Sequence, residues 1–128
     1  MKLRIRDNFI RLRLTQSEVD TICSEGLVMA HVSFPDGAVL DYVLESTPAT
    51  AKPSAHFSDG TLAVRLPESD VQDWASTEQV SIEAEEALDK GDRLKILIEK
   101  DFACLAPREG EDESDMYSHP LAVKNKEK

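Results

Sequence analysis

The sequence predicts an α+β fold: a small β-barrel or barrel-like sandwich built from two strand–helix–hairpin repeats related by a pseudo-twofold. Three observations carry this reading. The stretch "LRLTQSEV" (Leu12–Val19) returns as "VRLPESDV" (Val64–Val71), 52 positions later in a chain of 128 residues. In both copies an alternating apolar segment runs directly into a helix-start signal. Each helix is then followed by two apolar runs joined by turn residues.

Laying residues 5–32 over 57–84 without a gap gives identities at Asp7/Asp59, Arg13/Arg65, Leu14/Leu66, Ser17/Ser69, Val19/Val71, Ser24/Ser76 and Val28/Val80. Ile10, Leu12 and Leu14 share one face of the first strand, as Leu62, Val64 and Leu66 do in the second, because side chains alternate with a period of two. Thr15 and Glu18 form a T-x-x-E capping box, each side chain satisfying a backbone N–H that the first helical turn leaves open. The second copy instead offers Pro67 near the first helical position, with Glu68 and Asp70 at the positive end of the helix dipole. Val19, Ile22 and Cys23 match Val71, Trp74 and Ala75 as apolar stripes at i, i+3, i+4 spacing, and Gly26 is a stop for the first helix.

Each helix leads into a hairpin. "LVMAHVSF" (27–34) turns through Pro35-Asp36-Gly37 into "AVLDYVLE" (38–45). "QVSIEA" (79–84) turns through a longer acidic loop ending "DKGD" into "RLKILIEK" (93–100). After a two-residue insertion in the second turn, Leu40/Leu94 and Glu45/Glu99 fall into register. The organisation expected is one domain over 1–108, made of repeats 1–46 and 56–100 joined by a linker at 47–55, with an acidic, mobile tail over 109–128. A unit of about fifty residues buries little by itself. Two such units closing their sheets on each other bury a common core and leave fewer open edges.

Composition narrows the function classes. The net charge of −10 disfavours nucleic acid as a partner and argues against anionic membranes. No apolar run approaches the roughly 18 residues of a membrane span, and the charged, alternating start lacks the texture of a signal peptide. Two cysteines, Cys23 and Cys104, form neither a disulfide framework nor a CxxC pair. A cytoplasmic protein without a cofactor, monomeric or homodimeric, is the expectation.

The second unit, "FSDGTLAVRLPESDVQDWASTEQVSIEAEEALDKGDRLKILIEKD", resembles the swapped-hairpin barrel unit of the transition-state regulator and addiction-antitoxin families. Gly60, Leu66-Pro67 and the 94–98 strand hold the matching positions. The resemblance implies a swapped-hairpin fold and a DNA-binding regulator. The chain departs from it in placing Gly91-Asp92 inside the hairpin turn and in surrounding Arg65 with Asp59, Glu68 and Asp70, where phosphate recognition needs cations. The whole chain, through "RIRDNFIRLRLTQSEV", "IEKDFACLAPREGEDESD" and the following "HP", resembles a small family of uncharacterised bacterial proteins.

Charge is placed unevenly. Arg4, Arg6, Arg11 and Arg13 cluster near the start and are the expected contact surface of a non-enzymatic interaction or regulatory module with a protein partner. Five acids lie between Glu109 and Asp115, to cover that surface or bind a basic partner. The alternative is a metal-binding protein or small hydrolase, since Cys104, Asp112, Asp115 and His119 are metal-ligating residue types. Cys104 as a nucleophile needs His31, His56 or His119 as its base. No residue forms a recognisable catalytic constellation, and Trp74, at the Ile22 position of the repeat, is expected in the core.

Overall fold

The structure, a computed structural model, describes residues 1–101. Cys104, Asp112, Asp115 and His119, and the tail expected over 109–128, lie outside the described residues. The elements in chain order are β1 (Lys2–Arg6), β2 (Phe9–Leu14), α1 (Gln16–Glu25), β3 (Leu27–Ser33), β4 (Val39–Thr47), β5 (Ser54–Ser58), β6 (Thr61–Pro67), α2 (Glu68–Ser76), β7 (Ser81–Ala87), a short 3₁₀ turn (Asp89–Gly91) and β8 (Arg93–Lys100). The fold is mixed α+β.

The strands form two four-stranded sheets, ordered β1-β2-β8-β7 and β3-β4-β6-β5. The hairpin following α2 therefore joins the sheet of β1 and β2, and the hairpin following α1 joins the sheet of β5 and β6. Each sheet has a parallel pair at its centre, β2 with β8 and β4 with β6, flanked by antiparallel pairs. The expected barrel does not close. Among the described residues backbone ladders run only within each sheet, which leaves four edge strands, two of them lined with charge: β1 carries Lys2, Arg4 and Arg6, and β7 carries Glu83, Glu85 and Glu86. The sheets are joined instead through a shared apolar core and by polar contacts. The Ala55 N–H donates to Glu86 Oε1 at 3.0 Å, and Tyr42 Oη donates to the Met1 carbonyl at 3.1 Å.

Each helix is preceded by a hairpin rather than by the single strand expected. The reversals occur at Asp7-Asn8 and Asp59-Gly60, where Asp7 and Asp59 both adopt φ 51°, a left-handed conformation that Asp tolerates better than most residues. β4 runs to Thr47 and β5 begins at Ser54, so His56 lies inside a strand. Matched hydrogen bonds close both parallel pairings: Asp41 N–H to Gly60 O at 2.9 Å, and Lys95 N–H to Asn8 O at 2.8 Å.

The capping box on α1 is complete. Thr15 Oγ1 accepts from the Glu18 N–H, while Glu18 Oε1 accepts from the Thr15 N–H at 3.0 Å. Gly26 ends α1 at φ 79°, its N–H donating to Ile22 O at 3.0 Å. Pro67 is the N-cap of α2, immediately before its first residue, Glu68. The helices pack against one another. They bury Val19 and Ile22 from α1 and Val71 and Trp74 from α2 against Leu12, Leu14, Leu44, Val64, Leu66 and Ile98. Trp74 is fully buried and Nε1 donates to Val80 O at 2.9 Å, so its one polar atom is satisfied. Each such aliphatic side chain contributes about 1.5–3 kcal/mol through burial. Cys23 is only partly buried at the margin of this cluster, and burial together with the neighbouring Asp20 charge pushes its thiol pKa up, making it a poor nucleophile.

Candidate functional site

The alternation of β1 and β2 decides which side chains meet. Arg4 lies opposite Arg11, Arg6 opposite Phe9, and Lys2 opposite Arg13. Paired residues of neighbouring strands share a face, so all four predicted arginines emerge on one side of the first sheet, away from Leu3, Leu12 and Leu14. The parallel register extends these rows: Phe9 meets Lys95, Arg11 meets Leu97, and Arg13 meets Glu99. On the far edge, Lys95 is followed by Glu85, Leu97 by Glu83, and Glu99 by Ser81. The face is thus basic over β1 and β2, apolar or mixed at β8, and acidic over β7.

Glu99 is the main counter-charge. Its Oε2 accepts from Arg11 Nη2 at 2.7 Å and from Arg13 Nε at 2.6 Å, with its side chain only 14% exposed. Burial by itself would raise the carboxyl pKa, but hydrogen bonds and charge from Arg13 and Arg11 outweigh it and hold Glu99 below the ordinary glutamate value. Lys2 Nζ lies 3.1 Å from Asp101 at the end of β8. Arg4 and Arg6 are exposed and have no ion-pair partner among the described residues. A shallow depression of about 390 Å³ lies at the acidic end, lined by Phe9, Glu83, Ala84, Glu85, Lys95, Ile96 and Leu97.

The predicted arginine cluster is therefore gathered on one face. Lys2, Lys95, Phe9, Leu97 and Glu99 belong to the same face and were not assigned to it from sequence. The parity of Lys2 with Arg4 and Arg6 was the available signal for one of them; the β8 residues join only through a pairing between strands some 85 positions apart (Phe9 with Lys95). His31 and His56 are exposed and lie on opposite edge strands of the second sheet, β3 and β5. Among the described residues no group of three or more His, Cys, Asp or Glu side chains is placed to hold a metal ion. No described helix is long and apolar enough to cross a membrane.

On the second sheet the corresponding face carries Glu45 and Arg65, 3.1 Å apart, beside a depression of about 310 Å³ lined also by Thr47, Ser54 and His56. Arg65 is its only arginine, and no cationic row forms there. A family model described as a family of unknown function matches residues 1–121. No curated protein and no solved structure matches the chain.

Proposed function

The chain belongs to the family of unknown function DUF7009, and from its site we propose that it is a non-enzymatic interaction module whose basic half-face receives an acidic segment of a partner protein. The observation that carries this reading is the placement of Arg4 directly opposite Arg11. Like charges facing each other across a strand pair destabilise a sheet by a few tenths of a kcal/mol or more. Here the pair is flanked by Lys2, Arg6 and Arg13; Glu99 answers Arg11 and Arg13 and Asp101 answers Lys2, which leaves Arg4 and Arg6 without a counter-charge among the described residues. A cationic strip kept on a chain of net charge −10 is suited to an anion supplied from outside. The chain's own acids between Glu109 and Asp115 have the chemistry expected of that ligand and would compete with it.

The two-repeat reading is supported by matched features: the mirrored strand orders, the shared φ at Asp7 and Asp59, and the Arg13–Glu99 and Arg65–Glu45 pairs. The exchange of hairpins between sheets supports the swapped-hairpin resemblance as a topology. The extent of the charge favours a short acidic protein segment over DNA, since only one of the two described sheet faces is cationic and a duplex carries its phosphates well beyond such a strip.

Titration of the full chain at low salt with a labelled peptide of alternating Glu and Asp, read by fluorescence anisotropy, tests the proposal against duplex DNA. The expected result is peptide binding that weakens at least tenfold in the Arg4→Glu/Arg6→Glu variant. Equal binding by that variant, or a stronger preference of the native chain for DNA, would sink it.

A further inference from the structure

Sheet edges attract other strands unless something discourages them. Three of the four edges here are discouraged: β1 by Lys2, Arg4 and Arg6, β7 by Glu83, Glu85 and Glu86, and β5 by its five-residue length and the preceding Pro53. β3 has none of these devices. It is seven residues long, "LVMAHVS", without an acid, a lysine, an arginine or a proline. Its hairpin with β4 also holds five of the nine large exposed hydrophobic residues among those described, Leu27, Met29 (61% exposed), Val32, Phe34 and Val39.

The ladder to β4 fixes which backbone groups remain open. Phe34 N–H donates to Ala38 O, and Ser46 N–H donates to Gly26 O, both at 2.9 Å. Hydrogen-bonded and non-hydrogen-bonded pairs alternate along an antiparallel ladder, so the even positions of β3 bond to β4. The N–H and C=O groups of Leu27, Met29, His31 and Ser33 point away from the sheet.

We infer that this chain forms a homodimer by antiparallel pairing of β3 with β3 of a second copy, joining two four-stranded sheets into one of eight. A twofold through Ala30 places Leu27 opposite the second copy's Ser33 and Met29 opposite the second copy's His31. Every outward N–H and C=O of the four residues then finds a partner, which neighbouring registers do not achieve. The same register sets Phe34 against the second copy's Gly26, an aromatic ring over an edge glycine. The self-complementary register selects a second copy as the occupant, and because two chains of net charge −10 repel over most of their surfaces, their contact is confined to this uncharged strand. A seven-residue pairing spans about 23 Å, so the interface lies at or below the lower end of the ~1,200–2,000 Å² typical of specific complexes. An interface of this size suits a weak, concentration-dependent dimer. The inference does not depend on the arginine face.

Sedimentation velocity of the full chain from about 1 to 300 µM tests it. The native chain is expected to move from 14.2 kDa to twice that mass. Met29→Lys places a charge on the edge, and His31→Pro removes an N–H that no intramolecular ladder uses. Both are expected to raise the dimer midpoint at least tenfold with unchanged far-UV circular dichroism. On oxidation, Ala30→Cys is expected to cross-link with itself and Ser33→Cys is not. A native chain monomeric throughout, a dimer that persists in Met29→Lys, or one lost only on Arg4→Glu/Arg6→Glu would overturn the inference.

Discussion

Arg13 faces Glu99 across the parallel β2–β8 pairing at 2.6 Å, and Arg65 faces Glu45 across the parallel β6–β4 pairing at 3.1 Å. The two pairs hold corresponding places in the two sheets but differ in setting. The Glu99 side chain is 14% exposed and also accepts from Arg11, whereas Glu45 is 40% exposed with one arginine. Neutralising a nearly enclosed carboxylate leaves two guanidiniums sharing one uncharged carboxamide oxygen, while neutralising an exposed one changes little. Glu99→Gln is expected to lower stability by about 1–3 kcal/mol and Glu45→Gln by about 0.5 kcal/mol or less, measured by urea unfolding of each variant. Equal losses would show that burial does not distinguish the pairs.

The same carboxylate gives the fold an acid sensitivity. Glu99 is held below the unfolded value of about 4.3, so the unfolded chain binds its proton first as pH falls. Its contribution is complete above that unfolded value and is lost as pH drops through the lower folded value. The stability difference between the native chain and Glu99→Gln should therefore be largest near neutral pH and shrink below about pH 4. A difference that grows on acidification would contradict the arrangement.

At the ends of α1 two local devices are separable. Thr15→Ala removes the side-chain acceptor for the Glu18 N–H, a change expected to cost about 1 kcal/mol. Gly26→Ala forces a side chain onto φ 79°, where its Cβ would lie 3.5 Å from Ser46 O, an ordinary contact. The penalty there is backbone strain and not a clash, again about 1 kcal/mol. The effects should add, because the two sites lie at opposite ends of the helix and share no partner. Marked non-additivity in the double variant would show coupling through the helix.

Much of this architecture is legible in the sequence because it is local. The Thr15–Glu18 box, Gly26, the Pro35–Gly37 turn and the alternation of 93–100 each depend on neighbours within a few residues. The hairpins at β1 and β5 are harder to read. Ser54–Ser58 has a single large apolar residue, Phe57, which is exposed, and Ile5 in β1 is exposed as well, so each strand turns only one residue, Ala55 or Leu3, against the core and shows no apolar alternation. The open sheets and the basic face depend on β2 pairing with β8 across most of the chain, which no short-range pattern encodes. Arg11 and Arg13 could be picked out by charge, but Glu99, which neutralises them, could not be placed beside them.

Trp74 provides the last test, because it is the only tryptophan in the chain and its indole is fully buried. Val80 O accepts from both Trp74 Nε1 at 2.9 Å and the Lys100 N–H at 3.1 Å. Trp74→Phe therefore removes one donor without orphaning the carbonyl, and its cost is mainly lost volume, expected at about 1–2 kcal/mol. Trp74→Ala opens a much larger cavity between α2 and the sheets and is expected to cost about 3–5 kcal/mol. Native emission should be blue-shifted and should move to the red in step with loss of the far-UV signal on unfolding. Red-shifted native emission, or a Phe variant as unstable as the Ala variant, would show that the indole is not enclosed between α2 and β7.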